Sequence, residues 1–300
     1  IRDSIKYVLF NGGNGSMDTC GKIYEVAKES GINVIGIPKT IDNDIAITDH
    51  SPGFGSAARY MATSVKEVGE DVKSLPIHVS IIEAMGRNAG WITASSALAR
   101  KKEGDAPHLI YLPERPFVKE EFLADVKRLH EKYGGVVVVA SEGLKDENGN
   151  PIVEPIFKTE RATYFGDVGT HLATLVIKEL GIKARSEKPG ILGRASITMQ
   201  SEVDVNEAIE AGRAAVKAAI EGKTGYMVGL NRISTEPYKC ETSLIPINEV
   251  MMYEKALPKE FINERGNYVT EGFIDWCKPL IGGGIQEFTD FNLGARKEKI

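Results

Sequence analysis

The chain reads Tyr7-Val8-Leu9-Phe10-Asn11-Gly12-Gly13-Asn14-Gly15-Ser16 near its start, and this stretch decides the fold. Its apolar residues predict a short buried strand, and the glycine cluster after them predicts a tight turn. Apolar residues then recur at helical spacing, at Cys20, Ile23, Tyr24 and Ala27. A second buried-type strand is predicted over 33–37, just before Pro38. A strand, a helix and another strand predict a βαβ unit, and therefore an α/β fold with a parallel sheet.

The same alternation of strands and helices continues along the chain. Further strands are predicted over 78–82, 109–112, 136–140 and 226–230. Helices are predicted over 55–69, from about residue 88, over 118–133 and over 206–221, and residues 191–193 are predicted to end a strand. Ligands of parallel sheets bind beyond the carboxyl ends of the strands. The turns after the predicted strands are therefore where a site is expected.

Two carboxylates follow a lysine and a hydroxyl in Pro38-Lys39-Thr40-Ile41-Asp42-Asn43-Asp44, after the second strand. A carboxylate can take the proton of an attacking hydroxyl, while Lys39 and Thr40 can stabilise charge on a phosphoryl group in transfer. The segment is expected to be extended, and Asp42 and Asp44 are expected to serve different tasks, one touching the substrate and the other the metal. We assign Asp42 as the base and expect Mg²⁺ at the other carboxylate, since this ion favours oxygen ligands. A polar turn without chemistry is the alternative.

The turn Gly12-Gly13-Asn14-Gly15-Ser16 has the chemistry of an anion site. Without Cβ atoms in the way, its backbone N–H groups can approach a phosphate closely, and the following helix presents its N-terminus. The alternative is a tight strand-to-helix turn that binds nothing.

Four further charged side chains are candidates for substrate contacts. Arg87, in Met85-Gly86-Arg87 just past a strand, can brace a phosphoryl group or pair with a carboxylate. Glu142 follows a very apolar strand and can accept hydrogen bonds from sugar hydroxyls, or lie exposed in a loop. Arg185 and Arg194 can clamp a substrate phosphate, although surface arginines are common.

Composition narrows the class of protein. With 300 residues, 42% of them hydrophobic and 26% charged, the chain can form one large or two medium soluble domains. Its formal charge of −5 argues against nucleic acid or an anionic membrane as the partner, and no apolar run approaches the roughly 20 residues that span a bilayer. Cys20, Cys240 and Cys277 show no C-x-x-C spacing, which favours a reducing cytoplasm. His50, in a polar loop, is expected to be solvated.

Five segments together resemble the 6-phosphofructokinase family, of the A type, in order and spacing. They are Gly12-Gly13-Asn14-Gly15-Ser16, Pro38-Lys39-Thr40-Ile41-Asp42-Asn43-Asp44, Gly53-Phe54-Gly55-Ser56-Ala57, Glu83-Ala84-Met85-Gly86-Arg87 and Glu142-Gly143. The resemblance runs from about Tyr7 to Leu230. It implies two Rossmann-like three-layer domains with mainly parallel sheets and a cleft at the carboxyl ends of the strands. The implied reaction is the Mg²⁺-dependent transfer of a phosphoryl group to the 1-hydroxyl of fructose 6-phosphate in glycolysis.

The resemblance also implies roles for single residues. Asp42 takes the position of the catalytic base, and Asp44 that of a magnesium-linked carboxylate, with Asn14 beside it. The catalytic set is completed by Thr40, Lys39 and Arg87. Donor phosphates fall on Gly12, Gly13, Asn14, Gly15 and Ser16. Sugar-phosphate contacts fall on Thr40, Asp42, Met85, Gly86, Arg87, Glu142, Arg185 and Arg194. The family typically lends the arginine at Arg185 to a neighbouring subunit, which implies a homodimer or homotetramer.

The chain departs from the family pattern at several positions. By the resemblance it begins at about the family's fourth strand, so the family's N-terminal glycine loop is expected to be missing, either because this is a fragment or because the start is missing. Asn14 stands where the family usually has Asp. His78 and Ile191 replace a common phosphate-binding arginine and a common histidine. The sugar phosphate is therefore expected to be held differently from the bacterial ATP-dependent type.

The donor is ambiguous because the chain mixes features of two branches. Pyrophosphate users usually carry Asp at the position of Gly15 and Lys at that of Lys39, whereas ATP users carry glycine at both. Gly15 leaves room for the α-phosphate of a nucleotide, so ATP is the expected donor and pyrophosphate the alternative. An alternative of another class is a regulatory subunit that binds ligands without catalysis. Residues 1–52 with 194–245 are expected to bind the donor, 53–193 the sugar phosphate, and 246–300 to pack on both.

Overall fold

The computed structural model describes residues 5–75, 78–159 and 163–289. The strands are β1 (Tyr7–Gly12), β2 (Asn33–Pro38), β3 (His78–Ala84), β4 (Leu109–Tyr111), β5 (Val136–Ser141), β6 (Pro155–Lys158), β7 (Thr163–Phe165), β8 (Lys183–Glu187), β9 (Tyr226–Thr235) and β10 (Tyr238–Pro246). The α-helices are α1 (Asn14–Ala27), α2 (Phe54–Ser74), α3 (Trp91–Ser95), α4 (Lys119–Tyr133), α5 (Val168–Leu180), α6 (Ile191–Ala195), α7 (Glu202–Ile220), α8 (Ile247–Val250) and α9 (Glu271–Cys277). Short 3₁₀ helices cover Lys28–Ser30, Ser96–Ala99, Lys259–Phe261 and Lys278–Ile281.

Two four-stranded sheets form the framework. The first has the order β1-β2-β9-β10, in which only β10 runs antiparallel to its neighbour. The second has the order β4-β5-β3-β8 and is parallel throughout. A separate antiparallel pair is formed by β6 and β7. The prediction of an α/β fold with mainly parallel sheets is therefore confirmed.

Each sheet lies between helices, and the central strands of the second sheet are buried on both faces. Every residue of β3 and of β5 is buried, which is typical of a central parallel strand. One face of this sheet packs on α2 and α3, and the other on α4 and α5. The first sheet packs on α1 and α8 at one face and on the alanine-rich α7 at the other. None of the helices in the described part of the chain combines the length and apolarity needed to cross a lipid bilayer.

The prediction of a strand end at residues 191–193 is wrong, because these residues belong to α6. Strand β8 ends at Glu187, and Gly190 has a φ of 51°, a left-handed conformation that glycine adopts without strain. The chain then turns, with the Leu192 N–H donating to the Pro189 carbonyl at 3.0 Å. The apolar character of Ile191 and Leu192 resembles a buried strand, but both side chains are exposed.

The carboxyl ends of both sheets border one groove, which Ile41 lines after β2 and Met85 lines after β3. Gly12 and Pro38 end β1 and β2, and the Lys39 N–H donates to the Gly12 carbonyl at 2.9 Å. Beyond the second sheet, the Glu142 N–H donates to the Ala84 carbonyl at 2.9 Å, which ties the ends of β3 and β5 together.

Candidate active site

The glycine turn places the start of α1 at the cleft. The helix begins at Asn14, so Asn14, Gly15 and Ser16 form its first turn and are not a loop as expected. The Gly13 carbonyl accepts from the N–H groups of Ser16 and Met17, at 2.9 and 3.0 Å. The amides before them lie at a helix N-terminus, which favours an anion. A Cβ on Gly12 would lie 2.2 Å from Ser16 Oγ, whereas one on Gly15 would meet nothing within 4 Å.

Residues 40–44 form a bend, and the prediction of an extended segment is wrong. Asn43 is fully buried and has a φ of 54°, so the backbone leaves the extended conformation between the two carboxylates. Thr40 Oγ1 accepts from the Asp42 N–H at 3.1 Å and stabilises the start of the bend. Asp42 and Asp44 remain near each other, since the charge of Asp44 raises the pKa of Asp42.

Burial and four charged side chains shift the pKa of the Asp42 carboxyl. Burial raises its pKa to about 6, and the neighbouring charges of Asp44 and Glu142 add to this effect. Arg87 and Arg194 oppose it. Asp42 is therefore close to two carboxylates and two arginines, which the sequence placed on four different segments.

Asp44 has the features of a cation ligand. Burial raises its pKa, while hydrogen bonds, including those from the side chains of Asn14 and Thr40, lower it. Its Oδ1 is buried and has no hydrogen-bond partner among the described residues. A buried carboxylate oxygen without a donor suits a hard cation such as Mg²⁺, which prefers oxygen ligands.

The turn after β3 holds Arg87 in a strained conformation. Gly86 has a φ of 132° and Arg87 a φ of 48°. Glu142 Oε1 accepts from the N–H groups of both residues, at 3.2 Å each. Gly143 allows the close approach, because a Cβ there would lie 1.7 Å from the Arg87 carbonyl oxygen. Glu142 is thus built into the turn and is not a free loop carboxylate.

The remaining predicted residues separate into two groups. Met85 and Arg194 line a shallow groove together with Ile41, and Lys39 is exposed just after β2. Arg185, in contrast, lies in the middle of the edge strand β8, opposite Ser80. The end of β3 at Ala84 is four residues further, or ~13 Å along the strand. The structure does not bring Arg185 to the other site residues of the same chain.

Lys255 was missed by the sequence analysis. Its Nζ donates to the carbonyls of Thr48 and Asp49, at 2.9 and 3.0 Å, and its backbone N–H donates to the Asp44 carbonyl at 2.8 Å. Burial lowers the pKa of Lys255 to about 8, although the charges of Asp49 and Asp44 raise it. No local signal marks this lysine, because it lies beyond residue 231, where the periodic pattern is weak.

His50 is buried, and the prediction of a solvated histidine is wrong. Its side chain is 2% exposed and lies between two carboxylates. Nδ1 is 2.8 Å from Asp49 Oδ2, and Nε2 is 2.6 Å from Glu207 Oε2. Burial alone would lower the pKa of His50, but the two carboxylates raise it above its usual value. Asp49 in turn has its pKa lowered to about 2, against its burial, by His50 and Arg232.

A buried carboxylate that faces arginines, a helix N-terminus and a second carboxylate is the arrangement expected of a phosphotransferase with an alcohol group as acceptor. Comparison with known proteins agrees with this class. The model of the family described as Phosphofructokinase matches residues 1–219. The chain belongs to the phosphofructokinase family.

Individual relatives differ in donor and acceptor. The pyrophosphate–fructose 6-phosphate 1-phosphotransferase of Xanthomonas campestris pv. campestris (strain B100) is 40% identical over 93% of this chain and 68% of its own. The sulfofructose kinase of Alkalicoccus urumqiensis is 37% identical over 90% of this chain and 72% of its own. The ATP-dependent 6-phosphofructokinase 2 of Streptomyces coelicolor is 31% identical over 84% and 69%. The crystal structure of the pyrophosphate-dependent phosphofructokinase from Marinobacter aquaeolei matches with a TM-score of 0.85 and 38% identity, over 98% of this chain and 71% of that one.

Proposed function

We propose that the protein transfers a phosphoryl group from pyrophosphate to the 1-hydroxyl of fructose 6-phosphate, giving fructose 1,6-bisphosphate. The observation that carries the proposal is the Asp42 carboxyl, whose pKa is about 6 and which neighbours Asp44, Glu142 and two arginines. A carboxylate with this pKa is ionised near neutral pH and remains basic enough to take a hydroxyl proton. Asp42 would thus generate the nucleophile.

The acceptor would lie against the wall formed after β3 and β5. Arg87 and Arg194 would contact the phosphates, since guanidinium groups bind them bidentately. Met85, Gly86 and Glu142 would contact the sugar. Because Glu142 fixes the Arg87 turn through Oε1, sugar binding and arginine orientation would depend on the same carboxylate.

The donor would lie against the N-terminus of α1. The backbone of residues 12–16 would hold its phosphates, and Lys39 and Thr40 would stabilise charge on the group in transfer. Asp44 and Asn14 would hold Mg²⁺, which fits the buried Oδ1 of Asp44. When bound, this ion neutralises charge on the donor phosphates.

Pyrophosphate replaces ATP as the favoured donor. The sequence-based expectation of ATP rested on the open space at Gly15, and the structure has that space. However, an open space does not exclude a smaller donor, and Lys39 suits pyrophosphate as well. The relative from X. campestris and the structure from M. aquaeolei are both named for pyrophosphate, and the ATP-dependent relative is less similar.

Initial rates with fructose 6-phosphate and Mg²⁺ test the donor. We expect kcat/KM with pyrophosphate to exceed that with ATP by at least about tenfold, which corresponds to about 1.4 kcal/mol. Gly15→Asp should reduce any turnover of ATP more than that of pyrophosphate, whereas Gly15→Ala, which adds no charge, should change the ratio of the two much less. Asp42→Asn controls for contaminating activity. A larger kcat/KM with ATP would restore the nucleotide as donor.

Sulfofructose is a second candidate acceptor. His78 and Ile191 replace two cationic groups of the family pattern, and burial and the Arg185 charge lower the pKa of His78. A sulfonate carries one negative charge where a phosphate carries nearly two, so it needs fewer cations. The relative from A. urumqiensis is named a sulfofructose kinase. Parallel kinetics with both acceptors decide this point, because the better substrate has the larger kcat/KM.

We further propose that the protein acts as a homodimer or homotetramer in the cytoplasm. Arg185 is exposed on the edge strand β8, where it could serve a neighbouring subunit. The β6–β7 pair also exposes apolar side chains, at Ile156 and Phe165. This pair directly precedes α5 in the chain, and α5 packs on β8. The division into donor-binding residues 1–52 and 194–245, sugar-binding residues 53–193 and the extension 246–300 remains a prediction.

A further inference from the structure

The segment of residues 251–257 connects the parts of the candidate site. At its start, Asn14 Nδ2 donates to the Tyr253 carbonyl at 3.0 Å. In its middle, the Lys255 N–H donates to the Asp44 carbonyl at 2.8 Å. Trp91, just beyond the acceptor wall, donates from Nε1 to the Lys255 carbonyl at 2.9 Å. One short segment therefore contacts the start of α1, the bend that carries Asp42 and Asp44, and the start of α3.

Lys255 contacts the bend of residues 40–44 and the loop that continues it to residue 49. Its Nζ donates to the Thr48 and Asp49 carbonyls and lies 3.5 Å from Asn43 Oδ1. It also lies 5.0 Å from the centre of the Trp91 ring, in cation–π range. An ammonium group has three donors and no acceptor, so it can fix several carbonyl oxygens at once.

The bend needs such support because it is strained. Asn43 and Ile47 both have positive φ, at 54° and 69°, and neither is a glycine. Such conformations persist where surrounding contacts determine them. Asn43 Oδ1 also accepts from the Ser51 N–H at 3.0 Å, and the Asp49 N–H donates to the Leu230 carbonyl at 2.9 Å. Lys255 binds the carbonyl oxygens of Thr48 and Asp49 in the same loop.

We propose that Lys255 is a positioning residue for phosphoryl transfer: it holds the bend of residues 40–44 and the loop of residues 45–49 that continues it, so that the Asp42 carboxylate meets the acceptor hydroxyl. The inference rests on the proposed function for its catalytic consequence. Lys255 itself touches backbone oxygens and does not need to reach either substrate. A displaced base slows the chemical step with little change in substrate binding, whereas a lysine that only stabilises the fold has no such selective effect.

Two variants and two readouts test the proposal. We expect Lys255→Met, which has a similar length but no donors, to lower kcat at least about tenfold while both KM values stay within about threefold. Lys255→Arg, which keeps the charge and several donors, should recover kcat to within about threefold of the wild type. Hydrogen–deuterium exchange should accelerate in Lys255→Met at the amides of Asp49 and Ser51, and much less elsewhere. Lys259→Met, at an exposed lysine four residues on, is the matched control and should behave as the wild type.

Three results would overturn the proposal. They are a kcat of Lys255→Met within twofold of the wild type, a rate loss that Lys255→Arg does not relieve, and exchange that accelerates evenly through the chain. If Lys255→Met does not fold, Lys255→Gln replaces it, and an unchanged kcat of that variant has the same meaning. If the wild type turns over no donor and acceptor pair, the proposed function fails, and the exchange data alone then decide whether Lys255 holds the bend.

Discussion

The side chain of Asp42 shows how burial and neighbouring charges tune one carboxyl group. Burial, Asp44 and Glu142 raise its pKa to about 6, and two arginines keep it from rising further. Above this pH the group is ionised and can accept a proton, and below it the group is protonated and inactive as a base. We therefore expect kcat/KM to fall about tenfold per pH unit well below pH 6.

The substrates also titrate in this range, so a variant must identify the group. Glu142→Gln removes a negative charge that raises the pKa of Asp42, and should move the acid limb of kcat/KM to lower pH. Ionisation of the substrates is unaffected by the substitution. An acid limb that stays in place in Glu142→Gln, measured in the same buffers, would assign it to the substrates.

The position of Gly143 leaves no room for a side chain. A Cβ there would lie 1.7 Å from the Arg87 carbonyl oxygen, so Gly143→Ala must displace the turn that carries Arg87. We expect a loss of about 1–3 kcal/mol in the free energy of unfolding and a fall in kcat/KM. Urea denaturation and steady-state kinetics measure the two effects.

Gly212 provides a matched control for this substitution. It lies within α7, and a Cβ there would meet nothing within 4 Å. Gly212→Ala should therefore leave activity unchanged and stabilise the protein by up to about 1 kcal/mol. Equal stability of the two alanine variants would contradict the steric argument at Gly143.

Between elements, His50 joins the loop after the catalytic bend to α7. Its pKa is raised in the folded protein, so protonated His50 stabilises the fold fully below about pH 6.5 and loses this contribution as pH rises through the folded pKa. Asp49 has the opposite sense: with a pKa lowered to about 2, it contributes above its ordinary value of 3.8 and loses this as pH falls towards 2.

We expect His50→Gln to destabilise the protein more at pH 6 than at pH 8. Glutamine keeps hydrogen-bonding capacity but cannot carry the charge that pairs with Asp49 and Glu207. The difference in free energy of unfolding between wild type and variant, from urea titrations at both pH values, should shrink as pH rises. A difference that is the same at both values would show that His50 is not charged in the folded state.

Periodic elements were predictable from the sequence because one local property determines each of them. The run over 136–140 contains four valines and follows two glycines, which favours a buried strand over a helix, and the glycine cluster after β1 predicted the strand-to-helix turn within a few residues. The prediction of a strand end at residues 191–193 failed because apolar character alone does not distinguish a buried strand from an exposed helical turn. At that point the left-handed Gly190 determines the chain direction.

The site was predictable in part, for a related reason. Asp42, Arg87 and Glu142 follow strands, so the parallel-sheet rule places them at one edge. The environments of His50 and Lys255 depend on partners far along the chain, Glu207 for the histidine and Thr48 for the lysine. The bend at Asn43 also depends on such contacts, which local pattern does not record.

At the scale of the whole molecule, one chain supplies most but not all of the expected contacts. Asp42 has Arg194 among its neighbours, from α6, whereas Arg185 lies at the exposed edge of the second sheet. The start of β3 is near it, since the Arg185 charge lowers the pKa of His78. In a symmetric dimer the same edge of a partner could face the cleft, so that each site uses Arg185 of the partner subunit.

Mixing two impaired variants tests this arrangement. Asp42→Asn and Arg185→Ala should each be poorly active alone at low fructose 6-phosphate. After subunit exchange, half of the dimers are mixed, and each mixed dimer contains one site with both groups intact, so that roughly a quarter of the sites should recover. Asp42→Asn mixed with Arg194→Ala is the control and should recover nothing, because Arg194 serves the site of its own chain. Recovery in neither mixture would place Arg185 outside the neighbouring site, and recovery in the control would mean that Arg194 also crosses the interface.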